Sequence, residues 1–357
     1  QLRGQEGYQQ DAGMEARPNE RSPRTRQSSI SNNFPPVSAN GQKGLVVRNL
    51  GSRFQVHIDG TTDNELVDCR VKGNFRIKGI RTTNPVSVGD RVTVNPAGGE
   101  YYITAVEPRR NYIIRRASNL SKESHILAAN IDLAALVCSV RDPLTPTTFI
   151  DRFLATAEAY SIPALIIINK EDIWDADDRE YAEALRTLYQ SIGYKVFFTS
   201  ATTGDGIAEL MGELQGKTTL LAGNSGVGKS SIINALIPDA GLKTGAISEL
   251  YHTGTHTTTF SEMLTLPGGG AVIDVPGVRG FGTIDFDKRS VGHYFPEIFH
   301  FSNQCKYSDC SHRNEPGCAV RQALEEHRIA QSRYTSYLSI LEEVEEAEGA
   351  DKYRKPF

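Results

Sequence analysis

Short apolar or β-branched runs alternate with polar turns along the chain from Gly44 to residue 106. The runs are rich in Val, Ile and Tyr, which favour strands, and the Asn, Asp and Gly residues between them are typical of turns. The pattern predicts five strands, at residues 45–50, 53–58, 66–71, 90–94 and 101–106. Five short strands at this spacing predict a small closed β-barrel of the oligonucleotide-binding (OB) type.

A different pattern follows, in which apolar strand-like runs alternate with helical spacing. We interpret residues 107–118, which are rich in Arg, as a linker. Strands are predicted at 131–140, 164–168, 195–199, 218–222 and 271–275. Helices are predicted at 147–160, 178–192, 206–214 and 229–237. The alternation predicts a mostly parallel sheet covered by helices, with ligands at the carboxyl ends of its strands.

The two ends of the chain differ from this centre. Residues 1–43 are polar and lack apolar periodicity, which predicts a disordered tail or an added extension. Near the other end, helices are predicted at 319–327 and 329–346. The chain is therefore expected to be multidomain, with a tail (1–43), an OB-type barrel (44–112), an α/β domain (113–285) and a helical domain (286–357).

The first candidate for chemistry is a glycine-rich loop between a predicted strand and a predicted helix. It reads G-x-x-x-x-G-K-S, the pattern of a phosphate-binding loop, in which backbone N–H groups and the helix N-terminus face phosphate. Lys229 is expected to reach the β- and γ-phosphates, and Ser230 to ligate Mg²⁺. A glycine-rich turn that binds nothing is the alternative. The candidate residues are Gly223, Asn224, Ser225, Gly226, Val227, Gly228, Lys229, Ser230 and Ser231.

A second candidate, Asn169-Lys170-Glu-Asp172, follows the strand predicted at 164–168. An Asn-Lys-x-Asp sequence at a strand end is suited to guanine, because the Asp carboxylate accepts hydrogen bonds from ring N1–H and the exocyclic amine together. A site that pairs buried polar groups in this way rejects adenine. The backbone of Thr199, Ser200 and Ala201, after the next strand, is expected near the base carbonyl. The alternative for the tetrapeptide is a polar helix cap.

Two further segments are candidates for nucleotide-sensitive switches. Asp274-Val-Pro-Gly277 ends a strand; its Asp is expected to hold Mg²⁺ through water, and the Gly277 N–H to reach a γ-phosphate. Upstream, residues 254–259 carry three adjacent threonines, and Thr258 is the one we expect to complete the Mg²⁺ shell. A Thr-rich entry into a strand is the alternative.

The order of these motifs is rotated relative to an ordinary GTPase, in which the phosphate loop comes first and the guanine motif last. Here Asn169–Asp172 precedes Gly223–Ser230, and the switch candidates follow both. The pairing of each motif with a strand is intact. The central domain is therefore predicted to be a circularly permuted α/β P-loop GTPase domain, a rotation that closely placed chain ends make feasible.

A cluster of metal-ligand residues lies in the predicted helical domain. Thiolate and imidazole ligands suit tetrahedral zinc, and four protein ligands make a closed, structural site. The spacing is not that of the common zinc finger, so reactive or coincidental cysteines are the alternative. The candidate ligands are Cys305, Cys310, His312 and Cys318.

Charge and cysteine content indicate which kind of partner and which cellular compartment to expect. Residues 44–116 carry a net charge of +5 and residues 117–285 a net charge of −9, which indicates a polyanionic partner for the barrel; a solvated basic face is the alternative. Five cysteines do not suggest a disulfide framework, and no apolar run or leader pattern points to a membrane or to secretion. We expect a cytoplasmic protein.

Taken together, the barrel, the permuted motifs and the Cys-x4-Cys-x-His-x5-Cys spacing resemble the bacterial small-subunit-dependent ribosomal GTPases of the RsgA (YjeQ/YloQ) family, over residues 44–357. The resemblance implies GTP hydrolysis that is stimulated by the small ribosomal subunit late in its maturation. It implies contacts of the barrel and the zinc module with ribosomal RNA, Mg²⁺ bound with GTP or GDP, one structural Zn²⁺, and a monomer. Residues 1–43 lie outside it.

The water-positioning residue is expected to differ from that of many GTPases. Many GTPases carry a water-orienting glutamine after the Asp-x-x-Gly motif, but Val278 stands there and cannot form that hydrogen bond. His256 is expected to position water instead, together with Lys229; the alternative is that His256 only packs or contacts RNA. Two other functions are open: a nucleic-acid-binding module with a mainly structural guanine-nucleotide site, and a signalling switch with a protein partner.

Overall fold

The computed structural model describes residues 41–61, 65–71, 85–116, 124–242, 261–275 and 286–353. Its first unit is a closed five-stranded barrel, as predicted. The strands pair in the order β1-β2-β3-β5-β4, and β4 returns to β1; β3 and β5 run parallel. They are β1 (Gln42–Asn49), β2 (Phe54–Ile58), β3 (Leu66–Val71), β4 (Arg91–Ala97) and β5 (Glu100–Val106).

Alternating side chains of these strands fill the barrel. Val46, Phe54, Val56 and Ile103 are buried, and Cys69 packs among them as a small apolar residue. Burial of the Cys69 thiol raises its pKa to about 12, so the group stays neutral.

The segment interpreted as a linker is partly folded, and that interpretation was wrong for residues 112–116. A hairpin-like pair, β6 (Tyr112–Arg116) and β7 (Ser124–Ala129), forms a separate two-stranded sheet. Ile113 and Ala128 join the core of the α/β unit, which explains why this apolar stretch is ordered despite the charged residues around it.

The central unit is a sheet with strand order β10-β9-β8-β11-β13-β12, parallel except for β12. From β8 the chain continues to β9 and β10 on one side of β8, whereas the later strands, starting with β11, lie on its other side. The order of the strands therefore reverses at β8. This is the position at which doubly wound sheets bind ligands. The strands are β8 (Leu133–Cys138), β9 (Ala164–Asn169), β10 (Lys195–Thr199), β11 (Thr218–Gly223), β12 (Glu262–Thr265) and β13 (Ala271–Asp274).

Helices cover both faces of this sheet. Because successive strand residues point to opposite faces, Leu136 and Ile166 pack in one core and Val137 and Leu165 in the other. The predicted helices are confirmed with small shifts at their ends. They are α1 (Thr147–Ala159), α2 (Ala176–Ile192), α3 (Ile207–Leu214) and α4 (Lys229–Leu236).

The barrel and the α/β sheet are joined edge to edge. Strand β12 was not predicted; it pairs with β13 on one side and, through Glu262, with Arg48 of β1 on the other. The two units therefore share one continuous eleven-stranded sheet.

The last unit is helical and packs its own core against α1. It contains α5 (Pro296–Ser302), α6 (Ala319–Glu325) and α7 (Gln331–Tyr353). One face of α7 belongs to this core, since Tyr334, Tyr337, Leu341 and Val344 are buried with Ala155 of α1. None of the helices among the described residues is long and apolar enough to cross a membrane.

Candidate functional site

The glycine-rich loop lies where predicted, between the end of β11 at Gly223 and the start of α4 at Lys229. Gly226 and Gly228 have φ angles of 86° and 94°, a left-handed conformation that side chains with a Cβ rarely adopt. A Cβ on Gly228 would lie 2.3 Å from Asn169 Nδ2. The backbone is therefore wrapped tightly, as a loop that surrounds phosphate must be.

Asn169 connects three of the predicted segments. Its Nδ2 donates to the Val227 carbonyl at 3.0 Å, across the end of β8. Its Oδ1 accepts from Thr199 Oγ1 at 3.1 Å and from the Ala201 N–H at 3.3 Å. The side chain is only 2% exposed, so these bonds are made away from water. Asn169 thus fixes the guanine motif, the phosphate loop and the Thr199–Ala201 segment relative to one another.

Asp172 and Lys170 are oriented by neighbours rather than left to rotate. The buried Ser200 donates from Oγ to Asp172 Oδ1 at 2.6 Å, and the same hydroxyl accepts from the Thr203 N–H at 3.1 Å. Lys170 has a φ of 73° and its Nζ donates to the Asp142 carbonyl. The carboxylate that would read guanine is consequently pre-positioned.

Lys229 and Asp274 meet at the ends of two adjacent parallel strands. Lys229 Nζ forms an ion pair with Asp274 Oδ1, and the two side chains are 13% and 21% exposed. Ser230 follows Lys229 in the first turn of α4 and is half-buried. Lys229, which is expected to bind phosphate, thus lies beside two of the three residues expected to ligate Mg²⁺, Ser230 and Asp274.

The loop after β8 also belongs to this site, and sequence reasoning missed it. Pro143 Cδ lies 3.3 Å from where a Gly226 Cβ would be, and the Asp142 carbonyl holds Lys170. Arg141 reaches Asp175 and Asp178, at the start of α2, with distances of 2.8 and 2.7 Å. The signal was available, because loops at carboxyl ends of neighbouring parallel strands meet.

Three predicted residues lie outside the described residues: His256 and Thr258 of the first switch candidate, and Gly277 of the second. Val278 lies outside them too. Of the basic residues in the barrel segment, Arg48 and Arg70 form ion pairs with Glu262 and Glu100, so part of the charge predicted for a polyanion is neutralised within the chain.

The cysteine and histidine cluster is assembled as predicted. The ligand atoms of Cys305, Cys310, His312 and Cys318 lie within 4.8 Å of one another. His312 Nδ1 is 3.6 Å from Cys305 Sγ and 3.5 Å from Cys318 Sγ, and those two sulfurs are 4.0 Å apart. Tetrahedral zinc, with bonds of about 2.3 Å to S and about 2.0 Å to N, requires edges of about 3.8 Å between sulfurs and about 3.5 Å from S to N. The residues therefore fit such an ion.

Surrounding residues hold this cluster in shape. The hydroxyls of Tyr334 and Tyr337 in α7 donate to the carbonyls of His312 and Ser311 at 2.7 and 2.9 Å. Burial lowers the pKa of His312, which keeps the ring in the neutral form that binds metals. Burial alone would raise the pKa of Glu315, but hydrogen bonds from Ser311 and the loop backbone lower it to about 2.

Comparisons with known proteins agree with this geometry. The model of the RsgA N-terminal domain matches residues 43–102, and that of the RsgA GTPase matches residues 106–284. The small ribosomal subunit biogenesis GTPase RsgA of Bacteroides fragilis is 56% identical over 316 residues, covering 88% of this chain and all of that protein. The chain belongs to the RsgA GTPase family.

Solved RsgA-family structures have the same architecture. YjeQ from Thermotoga maritima is 34% identical with a TM-score of 0.67, covering 85% of this chain and 99% of its own. YloQ, described as a circularly permuted GTPase, is 31% identical with a TM-score of 0.65, covering 89% and 98%. The predicted permutation and the barrel are confirmed, and the chain is a P-loop GTPase of the RsgA family.

Proposed function

We propose that this protein binds the small ribosomal subunit and hydrolyses GTP in a subunit-stimulated manner late in the maturation of that subunit. The observation that carries the proposal is the hydrogen bonding of Asn169, which joins a guanine-reading motif to a phosphate loop in one preformed site. The relative from Bacteroides fragilis, named for small-subunit biogenesis, supplies the partner.

The nucleotide would be bound at both of its ends. Asp172 reads the guanine edge and Lys170 packs along the ring, while backbone N–H groups near the Thr199–Ala201 segment face the base carbonyl. Loop N–H groups and Lys229 bind the phosphates. The proposed GTP-binding residues are Asn169, Lys170, Asp172, Thr199, Ser200, Ala201, Gly223, Asn224, Ser225, Gly226, Val227, Gly228, Lys229, Ser230, Ser231 and Gly277.

Magnesium and water complete the proposed mechanism. Ser230, Thr258 and Asp274 would hold the Mg²⁺ that accompanies GTP, and the ion would neutralise charge on the phosphates. Lys229 stabilises the charge that develops during hydrolysis. With Val278 in place of a glutamine, His256 is the proposed water-positioning residue when the small subunit is bound. Intrinsic hydrolysis is accordingly expected to be slow.

The metal cluster is proposed to hold one structural Zn²⁺. Four protein ligands leave no open position for a substrate, so the ion would stabilise the loop between α5 and α6. Together with the net positive barrel, this loop is proposed to contact ribosomal RNA. The protein is proposed to act as a monomer, in the cytoplasm, where small subunits mature.

The deciding experiment is GTP turnover by the purified protein with increasing amounts of isolated small subunits. The rate should rise and saturate with subunits, ATP should not be hydrolysed, and isolated large subunits should not substitute. Equal rates with and without small subunits would contradict the proposal. Turnover that Lys229→Ala leaves unchanged would favour a nucleic-acid-binding module with a structural nucleotide site.

A further inference from the structure

Arg48 owes its position to an irregularity in β1. The register with β2 runs Val46↔Val56 and then Arg48↔Gln55, so one extra residue, Val47, is accommodated in β1. Val46 and Val56 are fully buried in the barrel, and in a regular strand residue 48 would share the face of Val46. The bulge instead places Arg48 beside Gln55 on the outer face.

On that outer face Arg48 meets the α/β sheet. Its guanidinium forms an ion pair with Glu262 of β12 and donates from Nη1 to Gln55 Oε1 at 3.1 Å. The backbone pairs here as well, with the Asn49 N–H donating to the Ser261 carbonyl at 3.3 Å. Within the described part of the chain, this is the place where a barrel strand pairs with a strand of the α/β sheet.

Glu262 is in turn directly opposite a residue of the nucleotide site. In the register of β12 with β13, Glu262 pairs with Asp274, whose carboxylate forms the ion pair with Lys229. Glu262 also follows Thr258 by four residues in the sequence. A short series of contacts thus connects the barrel to the phosphate-loop lysine through Arg48, Glu262 and Asp274.

We infer that Arg48 is a positioning residue for GTP hydrolysis: by holding Glu262 it fixes β12 against β1 and, because β12 is paired with β13, couples barrel docking to the nucleotide site. This inference rests on the proposed function for its RNA partner. A shift of the barrel on a docked RNA would be passed to β12 through the Arg48–Glu262 pair, and so to the strand that carries Asp274. Coupling of this kind requires only that the Arg48–Glu262 pair and the pairing of β12 with β13 differ in free energy between the protein with RNA docked on the barrel and the protein without it.

The test compares Arg48→Gln and Glu262→Gln with a matched control, Arg91→Gln. Arg91 pairs with Asp59 on the surface of the barrel, away from the junction, and its side chain is 38% exposed, as is that of Arg48. We expect both variants at the junction to lower the ratio of subunit-saturated to subunit-free turnover by about fivefold, the size of an exposed ion pair. Arg91→Gln should leave the ratio unchanged, and the charge swap Arg48→Glu with Glu262→Arg should restore most of it.

The two single variants separate coupling from RNA contact. If Arg48 acted only as a phosphate ligand, Arg48→Gln would raise the subunit concentration needed for half-saturation, whereas Glu262→Gln, which removes a negative charge, would not reduce stimulation. That result would overturn the inference. An equal loss in Arg91→Gln would overturn it too, because the effect would then be general damage to the barrel.

Hydrogen exchange tests the positioning without subunits. With GDP bound, amides of residues 261–265 should exchange about fivefold faster in Arg48→Gln and Glu262→Gln than in the wild type or Arg91→Gln. Unchanged exchange would refute the positioning role. A wild type that subunits fail to stimulate would instead refute the proposed function, and the exchange result would still decide the role of Arg48.

Discussion

Arg333 of α7 donates from Nη1 to Oδ1 of Asp151 in α1 at 2.8 Å, and both side chains are excluded from solvent. Asp151 also accepts from Tyr189 and Ser336, at 2.8 and 2.6 Å. Arg333 donates further to Glu297 of α5, at 2.6 and 3.1 Å. A satisfied network of buried charges therefore joins the α/β domain to the metal-binding unit.

Removing one charge from this network should be costly. Arg333→Leu leaves Asp151 buried without its cation, and we expect a loss of about 3–5 kcal/mol in the free energy of unfolding. Glu343→Gln is the matched control, because the Arg152–Glu343 pair joins the same two helices but is 22% and 40% exposed. It should cost less than about 1 kcal/mol. Urea unfolding followed by circular dichroism measures the free energy of unfolding of both variants. Equal losses would contradict the greater contribution expected of the buried Arg333–Asp151 pair.

Gly228 is expected to be required for full nucleotide affinity. Gly228→Ala meets both an unfavourable φ of 94° and a contact of 2.3 Å with Asn169 Nδ2. Displacing Asn169 should weaken GDP and GTP binding by about 2 kcal/mol, or about 30-fold. Trp174, the single tryptophan of the chain, lies two residues after Asp172 and packs edge-on against Phe198. Its fluorescence offers a signal for the titration.

Gly212→Ala is the control for that substitution. Gly212 lies in α3, and a Cβ there meets nothing within 4 Å. We expect unchanged nucleotide affinity and a helix stabilised by about 0.5–1 kcal/mol. Equal affinities for the two glycine variants would show that the conformation at Gly228 does not matter for binding.

The local patterns in the sequence predicted most of the strands and helices, because strand alternation and helical spacing can be recognised within a short stretch of residues. Strand β2, predicted at 53–58, is observed at Phe54–Ile58. The patterns failed where order depends on distant partners. β6 was interpreted as linker because its stability comes from pairing with β7 and from the burial of Ile113 in the α/β core.

The same distinction applies to the site. The phosphate loop, the guanine motif and the metal ligands were predicted from residues that lie close together in the sequence and whose spacing reflects their chemistry. The Arg48–Glu262 pair, separated by 214 positions, and the Arg333–Asp151 pair, separated by 182, left no local signal. Both depend on which strand edges and helix faces meet, and that is decided only by the tertiary fold.

The metal cluster should retain one zinc ion per chain through purification. Cys310→Ser is expected to lose the ion and to destabilise the unit around α5–α7 by more than about 3 kcal/mol, since metal binding contributes directly to folding. Metal content by mass spectrometry and thermal unfolding are the measurements. Cys69→Ala, which alters a barrel-core thiol, should keep the zinc. Full zinc content in Cys310→Ser would contradict the ligand assignment.

Glu213 of α3 should make stability depend on pH. Hydrogen bonds from Lys195 and then Lys217, each at 2.6 Å, lower its pKa below the usual 4.5. A lowered pKa in the folded state means that the stabilisation is present above pH 4.5 and is lost as the pH falls through the folded-state value. Glu213→Gln should therefore cost up to about 1 kcal/mol at pH 7, limited by solvent screening of the exposed lysines, and almost nothing at a pH well below the folded-state pKa of Glu213. Urea unfolding of both proteins at the two pH values measures this, and a difference that does not shrink with acid would show that Glu213 stabilises α3 by packing rather than by charge.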